Sequence, residues 1–235
     1  MKLAVIPARG GSQRIPRKNI RLFAGKPIIA YSIEAALQSR LFDQVVVSTD
    51  DAEIAAVARD WGAQTPFLRP AELADAYTGT NAVAKHALAW FLDQGQRFDI
   101  ACCLYATAPF VTATVLRQGL ELLQASGKRY AFAVTSFDFP IQRGIRLLPQ
   151  GGVEPLFPQA IMRRSQDLEP AYHDAGQFYW GEAAAFLDDL PLFGTDSAAL
   201  ALPRWRVQDI DTEEDWRRAE LMFLAARQLL GEDGG

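Results

Sequence analysis

The sequence has few of the residues that build disulfide frameworks or histidine-dependent sites. Of 235 residues, only two are cysteine and two are histidine. Cys102 and Cys103 are adjacent in an apolar run, and because neighbouring strand residues point to opposite faces, no disulfide between them is expected. Free thiols agree with a reducing cytoplasm. His86 and His173 fit neither a Ser–His–Asp arrangement nor the histidine spacing of a metal site.

Long apolar runs and an excess of positive charge are also missing. No stretch approaches the length of a membrane span, and the chain opens on a short strand rather than on the apolar core of a secretion signal. We therefore expect a cytoplasmic protein that does not bind membranes. The net charge is −4, whereas a nucleic-acid binder would more often be basic, so nucleic acid is not expected as a partner. The 235 residues, 49% of them hydrophobic, suit one domain over 1–235 with at most a small appendage.

The first nineteen residues combine a buried strand with a basic, glycine-containing loop. Residues 3–6 are apolar and predict the strand, and Gly10 and Gly11 in loop 7–19 allow backbone N–H groups to approach an anion closely. Four cations in this loop suit a triphosphate: Arg9, Arg14, Arg17 and Lys18. Neither the Walker A spacing nor G-x-G-x-x-G is present. An ordinary basic surface loop is the alternative.

Strand and helix patterns alternate through the first 135 residues. Strands are predicted at 45–47, 100–104 and 130–135, and helices at 27–39, 52–60, 80–94 and 112–125. This alternation predicts an α/β fold with a mainly parallel sheet and helices on both faces. Right-handed crossovers then place loops 7–19, 48–51 and 105–109 at one edge. Further strands are predicted at 177–180 and 205–207, and a last helix at 213–230 with Thr212 as its N-cap.

Residues 137–176 break the pattern with five prolines and the pair Gly151–Gly152. A structureless loop of this length is improbable unless it has a function, so we interpret it as a small, irregular, β-rich arm that covers the site or reaches a second subunit. Its polar side chains could recognise a sugar, with an arginine for a carboxylate and the others for hydroxyl or amide groups. A solvated or dimer-contacting surface is the alternative. These residues are Arg143, Arg164, Gln166, Asp167, His173, Asp174 and, just after the arm, Gln177.

Asp209 and Asp211 flank Ile210 near the end of the chain. In an extended segment, carboxylates two residues apart point to the same side. Such a pair suits Mg²⁺, which usually binds one or two carboxylates together with substrate phosphates and water. Helix capping near Thr212 is the alternative interpretation.

Five segments, in this order, resemble the CMP-sialic acid synthetases (acylneuraminate cytidylyltransferases). They are 6–12 (IPARGGS), 15–19 (IPRKN), 47–50 (VSTD), 68–74 (LRPAELA) and 209–213 (DIDTE). Within that family, segments 139–143, 164–168 and 172–181 look most like the pseudaminic acid cytidylyltransferases. Two positions depart from the family pattern: Gln13 stands where relatives often carry lysine, and Ala106 where they carry proline.

The resemblance implies a Rossmann-like nucleotidyltransferase that forms a homodimer through the arm. It implies the reaction CTP + pseudaminic acid → CMP-pseudaminic acid + diphosphate, with Mg²⁺ as cofactor, for glycosylation of flagella or surface polysaccharide. N-acetylneuraminic, legionaminic and Kdo acids are alternative substrates. A non-catalytic sugar-nucleotide-binding protein is a second alternative, and a dinucleotide-dependent oxidoreductase is disfavoured by the missing fingerprint.

The residues expected to act fall into three groups. Arg9, Lys18, Asp209 and Asp211 are expected in catalysis, the two aspartates as metal ligands. Ala8, Arg9, Gly10, Gly11, Ser12, Lys18, Asn19, Arg69 and Thr80 are expected to bind the nucleotide. Gln142, Arg143, Arg164, Gln166, Asp167, His173, Asp174 and Gln177 are expected to bind the sugar.

Overall fold

The structure, a computed structural model, describes residues 1–75 and 78–230, with only the backbone of residue 230. Ten strands occur in these residues: β1 (Lys2–Pro7), β2 (Leu22–Phe23), β3 (Lys26–Pro27), β4 (Gln44–Ser48), β5 (Ile100–Leu104), β6 (Tyr130–Ser136), β7 (Ile145–Leu147), β8 (Val153–Pro155), β9 (Tyr172–Glu182) and β10 (Ser197–Ala201). The central sheet has the order β4-β1-β5-β9-β6-β10, and β9 is its antiparallel strand. The pairs β2–β3 and β7–β8 are separate hairpins.

Helices cover both faces of the sheet. They are α1 (Ile28–Ser39), α2 (Ala52–Asp60), α3 (Thr80–Asp93), α4 (Ala113–Ser126), α5 (Ala183–Leu187) and α6 (Glu213–Leu230). Alternate residues of β1 enter different cores: Ala4 and Ile6 pack with α1, α2 and α4, whereas Leu3 and Val5 pack with α3 and α5. This happens because strand side chains alternate between the two faces of a sheet. The mainly parallel sheet with helices on both faces confirms the predicted α/β fold. No helix of residues 1–75 or 78–230 is long and apolar enough to cross a membrane.

The two cysteines follow the same alternation. Cys102 faces one core and Cys103 the other, and both are fully buried free thiols. Burial raises the pKa of Cys103 to about 12. A thiol with so high a pKa forms little thiolate, so these residues are inert parts of the core.

Side-chain caps fix the starts of two helices, α2 and α6. Asp51 accepts hydrogen bonds from the N–H groups of Glu53 and Ile54 and so begins α2. At α6, the Asp215 carboxylate accepts from the Thr212 N–H at 2.8 Å, and the Asp215 N–H donates to the Thr212 hydroxyl at 3.2 Å. This reciprocal pair is a capping box, and Thr212 is the predicted N-cap.

The direction of the strands gathers the functional loops at one edge. Strands β1, β4, β5, β6 and β10 all end there, and the antiparallel β9 begins there. The segments that follow β1, β4 and β5 are those that the sequence placed at this edge, and the segment after β10 joins them. In open α/β sheets this edge is where ligands bind.

Two strand predictions need correction. Residues 204–206 form a 3₁₀ turn after Pro203 and are not a strand, and the last strand is β10. Its sequence, SAALA, has small side chains that give a weak apolar pattern, and it pairs with β6 alone at the edge of the sheet. The strand predicted at 177–180 is the middle of the longer β9.

Candidate active site

A cavity of about 330 Å³ opens between the loops after β1 and β5, the start of α3 and the segment after β10. Eight residues predicted for catalysis or nucleotide binding line it: Arg9, Ser12, Lys18, Asn19, Arg69, Thr80, Asp209 and Asp211. Ala8, Gly10 and Gly11 lie in the same loop but do not line the cavity. We call this space the first cavity. Segments far apart in the chain meet in it.

Hydrogen bonds within the loop and to the segment after β4 fix the glycine-containing loop. The Asn19 side chain donates to the Arg9 carbonyl at 2.9 Å, and the Gly10 N–H donates to the Asp50 carboxylate at 2.9 Å. A methyl group on Gly10 would lie 2.8 Å from an Asp51 carboxylate oxygen, whereas one on Gly11 would meet nothing within 4 Å. Gly10 is therefore required by packing, and Gly11 leaves its side of the loop open.

Lys18 joins the N-terminal loop to the acidic pair. Its Nζ donates to the Ile210 carbonyl at 2.6 Å and lies 3.5 Å from Oδ1 of Asp211. Arg14 also pairs with Asp211, at 2.8 Å. Ile210 is fully buried, which directs Asp209 and Asp211 toward the first cavity. The extended i, i+2 arrangement thus brings both carboxylates and two cations together.

Asp209 is the more perturbed member of the acidic pair. Burial and the nearby negative charge of Asp211 raise the pKa of Asp209, and Lys18 opposes the shift. Both causes disfavour the charged carboxylate, so a cation bound between the two aspartates would stabilise their charged forms.

Arg69 places a buried cation beside the first cavity. Only 6% of the residue is exposed. Its guanidinium donates to the Ser48 hydroxyl at 3.2 Å, to the Ser48 carbonyl and to the Leu73 carbonyl at 3.4 Å, all uncharged acceptors. Burial lowers its pKa, although the Asp50 carboxylate acts in the opposite sense. An anionic ligand in the cavity would stabilise this charge.

A second cavity, of about 580 Å³, adjoins the first at Asp209, which lines both. It lies between the end of β6, the start of β9, the segment after β10 and α6. His173 and Asp174, both predicted to bind the sugar, line it. The structure thus brings two predicted sugar-binding residues next to the predicted metal ligands.

The second cavity also contains charged residues that the sequence did not single out. Arg204 lies 3.1 Å from Asp138, and Arg218 lies 4.0 Å from the other oxygen of that carboxylate. They come from three separate segments, and no spacing in the sequence connects them. Tyr105 and Thr78 were likewise not predicted as site residues but line the first cavity, as do Gln13 and Ala106. Arg14, predicted as one of the loop cations, lines it too. For Tyr105 and Ala106 the signal was the predicted position of loop 105–109 at this edge.

The other predicted sugar-binding residues line neither cavity. Gln142 donates to the Glu169 carbonyl at 3.0 Å, Arg143 to the Arg163 carbonyl at 2.8 Å, and Arg164 pairs with Asp167 at 2.7 Å. Gln166 lines a separate hollow within the arm. Gln177 is buried and donates to the Arg206 carbonyl at 2.5 Å. Their roles stay predictions.

Comparisons with known proteins agree on one family. Residues 3–140 match the family model described as cytidylyltransferase. The chain is 46% identical to a pseudaminic acid cytidylyltransferase of Campylobacter jejuni, over 94% of this chain and 95% of that one. It is 34% identical to a CMP-N,N'-diacetyllegionaminic acid synthase of Legionella pneumophila, over 97% and 98% of the two chains. A CMP:2-keto-3-deoxy-manno-octonic acid synthetase solved with CTP has the same fold, with a TM-score of 0.69 at 16% identity, over 96% of this chain and 99% of that one.

Proposed function

Because the chain belongs to the cytidylyltransferase family, we propose that it transfers CMP from CTP to a nonulosonic acid, pseudaminic acid, and releases diphosphate. The 46% identity over 94% of the chain to a pseudaminic acid cytidylyltransferase supports this sugar above the others. A legionaminic acid product is the nearest alternative, since a synthase of that class is 34% identical.

The observation that carries the proposal is the junction of two cavities at Asp209. The first cavity has the cations and the glycine-containing loop that a nucleoside triphosphate needs, and the second has carboxylate, imidazole and guanidinium groups that suit a sugar acid. A reaction between two substrates requires their reacting atoms to lie within about 3–3.5 Å. Adjoining cavities allow that approach at Asp209.

In this reaction a sugar hydroxyl oxygen attacks the α-phosphorus of CTP. A new P–O bond forms, the bond to the β-phosphate breaks, and the hydroxyl loses its proton. Negative charge grows on the non-bridging oxygens and on the departing diphosphate. Lys18 and Arg9 lie in the first cavity, where fixed cations would stabilise that charge without having to reorganise.

We also propose Mg²⁺ as the cofactor, held by Asp209 and Asp211. No group of three or more histidine, cysteine, aspartate or glutamate residues that could hold a metal occurs in residues 1–75 and 78–230. Two carboxylates, completed by phosphate and water oxygens, are a usual protein contribution to Mg²⁺. A cation between them would offset the burial and the charge of Asp211 that raise the pKa of Asp209. The bound ion would act as a Lewis acid toward phosphate oxygens.

Substitution of Asp211 tests the metal assignment. Asp211→Asn is expected to lower turnover at least a hundredfold while CTP still binds, because a charge-stabilising group is lost. Diphosphate release and calorimetric CTP titration measure the two effects. Glu214→Ala, an exposed carboxylate three residues further along, is the control. Near-normal diphosphate release by Asp211→Asn would exclude the assignment.

The sugar carboxylate requires a cation, and Arg204 and Arg218 are the arginines that line the second cavity. Arg143 and Arg164 remain predictions for this role. Their hydrogen bonds in this chain are made within the arm, and neither side chain lines the second cavity, so this role would require the arm to approach a bound sugar.

The test of substrate identity is a comparison of nonulosonic acids. Purified full-length protein is mixed with CTP, Mg²⁺ and one acid at a time: pseudaminic, legionaminic, N-acetylneuraminic or Kdo acid. Diphosphate release gives the rate, and mass spectrometry identifies the CMP-sugar. We expect the highest kcat/KM with pseudaminic acid. Binding without turnover of any acid would favour the non-catalytic alternative, and a preference for another acid would correct the sugar.

A further inference from the structure

Strand β9 has a bulge between its two pairings with β6. Phe132 pairs with Tyr179 and Val134 pairs with Asp174, so an advance of two residues along β6 is matched by an advance of five residues along β9. In a regular strand, residues five apart would be about 17 Å apart and on opposite faces. The bulge, which includes Gly176 at φ +60°, departs from that regular geometry. As a result the side chains of Asp174 and Tyr179 are in contact.

This contact belongs to a chain of hydrogen bonds that runs between the two cavities. The Tyr179 hydroxyl contacts the Asp174 carboxylate and, at 3.3 Å, the Tyr105 hydroxyl. The other Asp174 oxygen accepts from the Gly176 N–H at 3.0 Å. Asp174 lines the second cavity, whereas Tyr105 and Thr80 line the first.

Burial and ring contacts hold the hydroxyl groups of Tyr105 and Tyr179 in place. Only 2% of Tyr179 is exposed, and its ring contacts those of Tyr105 and Phe132. Burial raises the pKa of Tyr105 and of Tyr179, so both remain protonated hydroxyls over the working pH range. A buried hydroxyl needs partners, and satisfied buried networks are rigid. Tyr179 is therefore held on both sides.

We propose that Tyr179 is a positioning residue, which fixes the Asp174 carboxylate for hydrogen bonds to the sugar and ties it through Tyr105 to the nucleotide cavity. The inference rests on the proposed function. Tyr179 touches neither substrate. It acts through Asp174, whose carboxylate would accept hydrogen bonds from sugar hydroxyl or amide groups. Bulges are common next to active sites because they redirect a side chain, which is their effect here.

The test compares Tyr179→Phe with Tyr130→Phe. Both remove one hydroxyl from a buried tyrosine, but the Tyr130 hydroxyl donates at 3.2 Å to the Leu190 carbonyl and lines neither cavity. Steady-state kinetics are measured with CTP and with the acid that the wild-type protein uses, and Tm is measured alongside. Tyr179→Phe is expected to raise KM for the acid about tenfold and KM for CTP less than about threefold, since a carboxylate that loses its donor is no longer held in place.

A double-mutant cycle separates positioning from general loosening. Asp174→Asn should raise KM for the acid by at least as much as Tyr179→Phe, and the double variant should be no worse than Asp174→Asn alone. Additive effects, or a Tyr179→Phe variant that matches Tyr130→Phe in KM for the acid, would overturn the proposal. So would equal rises of both KM values together with a lower Tm.

If Tyr179→Phe does not fold, Tyr105→Phe removes the neighbouring hydroxyl of the same chain. A rise in KM for the acid then supports the proposal, and an unchanged value overturns it. Absence of turnover by the wild-type protein would instead contradict the proposed function, so the two failures are distinguishable.

Discussion

Among single residues, Lys18 connects the two ends of the chain at the first cavity. It bonds the Ile210 carbonyl and lies near Asp211, and 21% of its side chain is exposed. We expect Lys18→Ala to lower kcat about a hundredfold, because a fixed charge that stabilises the transition state is lost. Diphosphate release at saturating substrates measures this effect. Lys128→Ala, which removes a lysine bonded to the Thr195 carbonyl, is the control. A change confined to KM for CTP would assign Lys18 to binding only.

Gly10 and Gly11 are neighbours with different structural demands. A methyl group on Gly10 would meet the Asp51 carboxylate and push the loop, whereas one on Gly11 has free space within the protein. We expect Gly10→Ala to lower Tm by several degrees, corresponding to about 1–3 kcal/mol of overpacking. Gly11→Ala should leave Tm unchanged and raise KM for CTP if backbone N–H groups bind phosphate there. Thermal unfolding measures Tm of both variants, and steady-state kinetics measure their KM for CTP. Equal Tm values would contradict the packing argument.

Among the elements, helix α2 begins at a cap that also supports the glycine-containing loop. Asp51 caps α2 and pairs with Arg17 at 2.5 Å. The guanidinium and the two backbone N–H groups lower the pKa of Asp51 from 3.8 to about 2. Because the folded pKa is the lower one, this stabilisation is complete above pH 4 and is lost as the pH falls toward 2.

We expect Asp51→Ala to lower the free energy of unfolding by about 1 kcal/mol at pH 7, the usual value of an N-cap. The difference from wild type should shrink by pH 3. Urea unfolding at both pH values measures it. Asp60→Ala, at the other end of the same helix, should cost nothing, because an acid there opposes the helix dipole. An equal loss at both pH values would show that the Asp51 charge is not involved.

Local sequence patterns were sufficient for most elements. Helix 52–60 and strand 100–104 were predicted with the bounds observed, because apolar periodicity and the Asp51 cap act within a few residues. The pair Asp209 and Asp211 was predicted to share a side for the same reason. Strand β10 was missed because its stability comes from pairing with β6, which no local pattern reports.

The second cavity could be predicted only in part. His173 and Asp174 were identified, but Arg204 and Arg218 come from other segments and meet them only in the folded chain. The contact of Asp174 with Tyr179 depends on a bulge, which allows the side chains of two strand residues five apart to touch. A regular strand would place these two residues on opposite faces, so no local pattern in the sequence indicates the contact.

At the scale of the whole molecule, the arm exposes large apolar side chains to solvent, which is energetically unfavourable. Phe139 is 82% exposed, Leu147 76% and Met162 92%. Exposed apolar patches of this kind mark interaction surfaces, and we propose a second copy of the chain as the partner. Sedimentation should give a species of twice the 26.0 kDa chain mass.

Leu147→Glu should convert that dimer to monomer, since a charge would be buried in an apolar contact. Leu221→Glu, at a residue of α6 that is 70% exposed, is the control and should stay dimeric. A wild-type protein that sediments as a monomer at tens of micromolar would contradict the proposal.

The central claim is that the two cavities joined at Asp209 form one site, where a sugar hydroxyl attacks the α-phosphorus of CTP. The most direct measurement follows labelled phosphorus from CTP with pseudaminic acid present. Label at the α position should appear in the CMP-sugar, and label at the γ position in diphosphate. Release of α-label as free CMP at a rate independent of the acid, or of γ-label as inorganic phosphate, would contradict the claim.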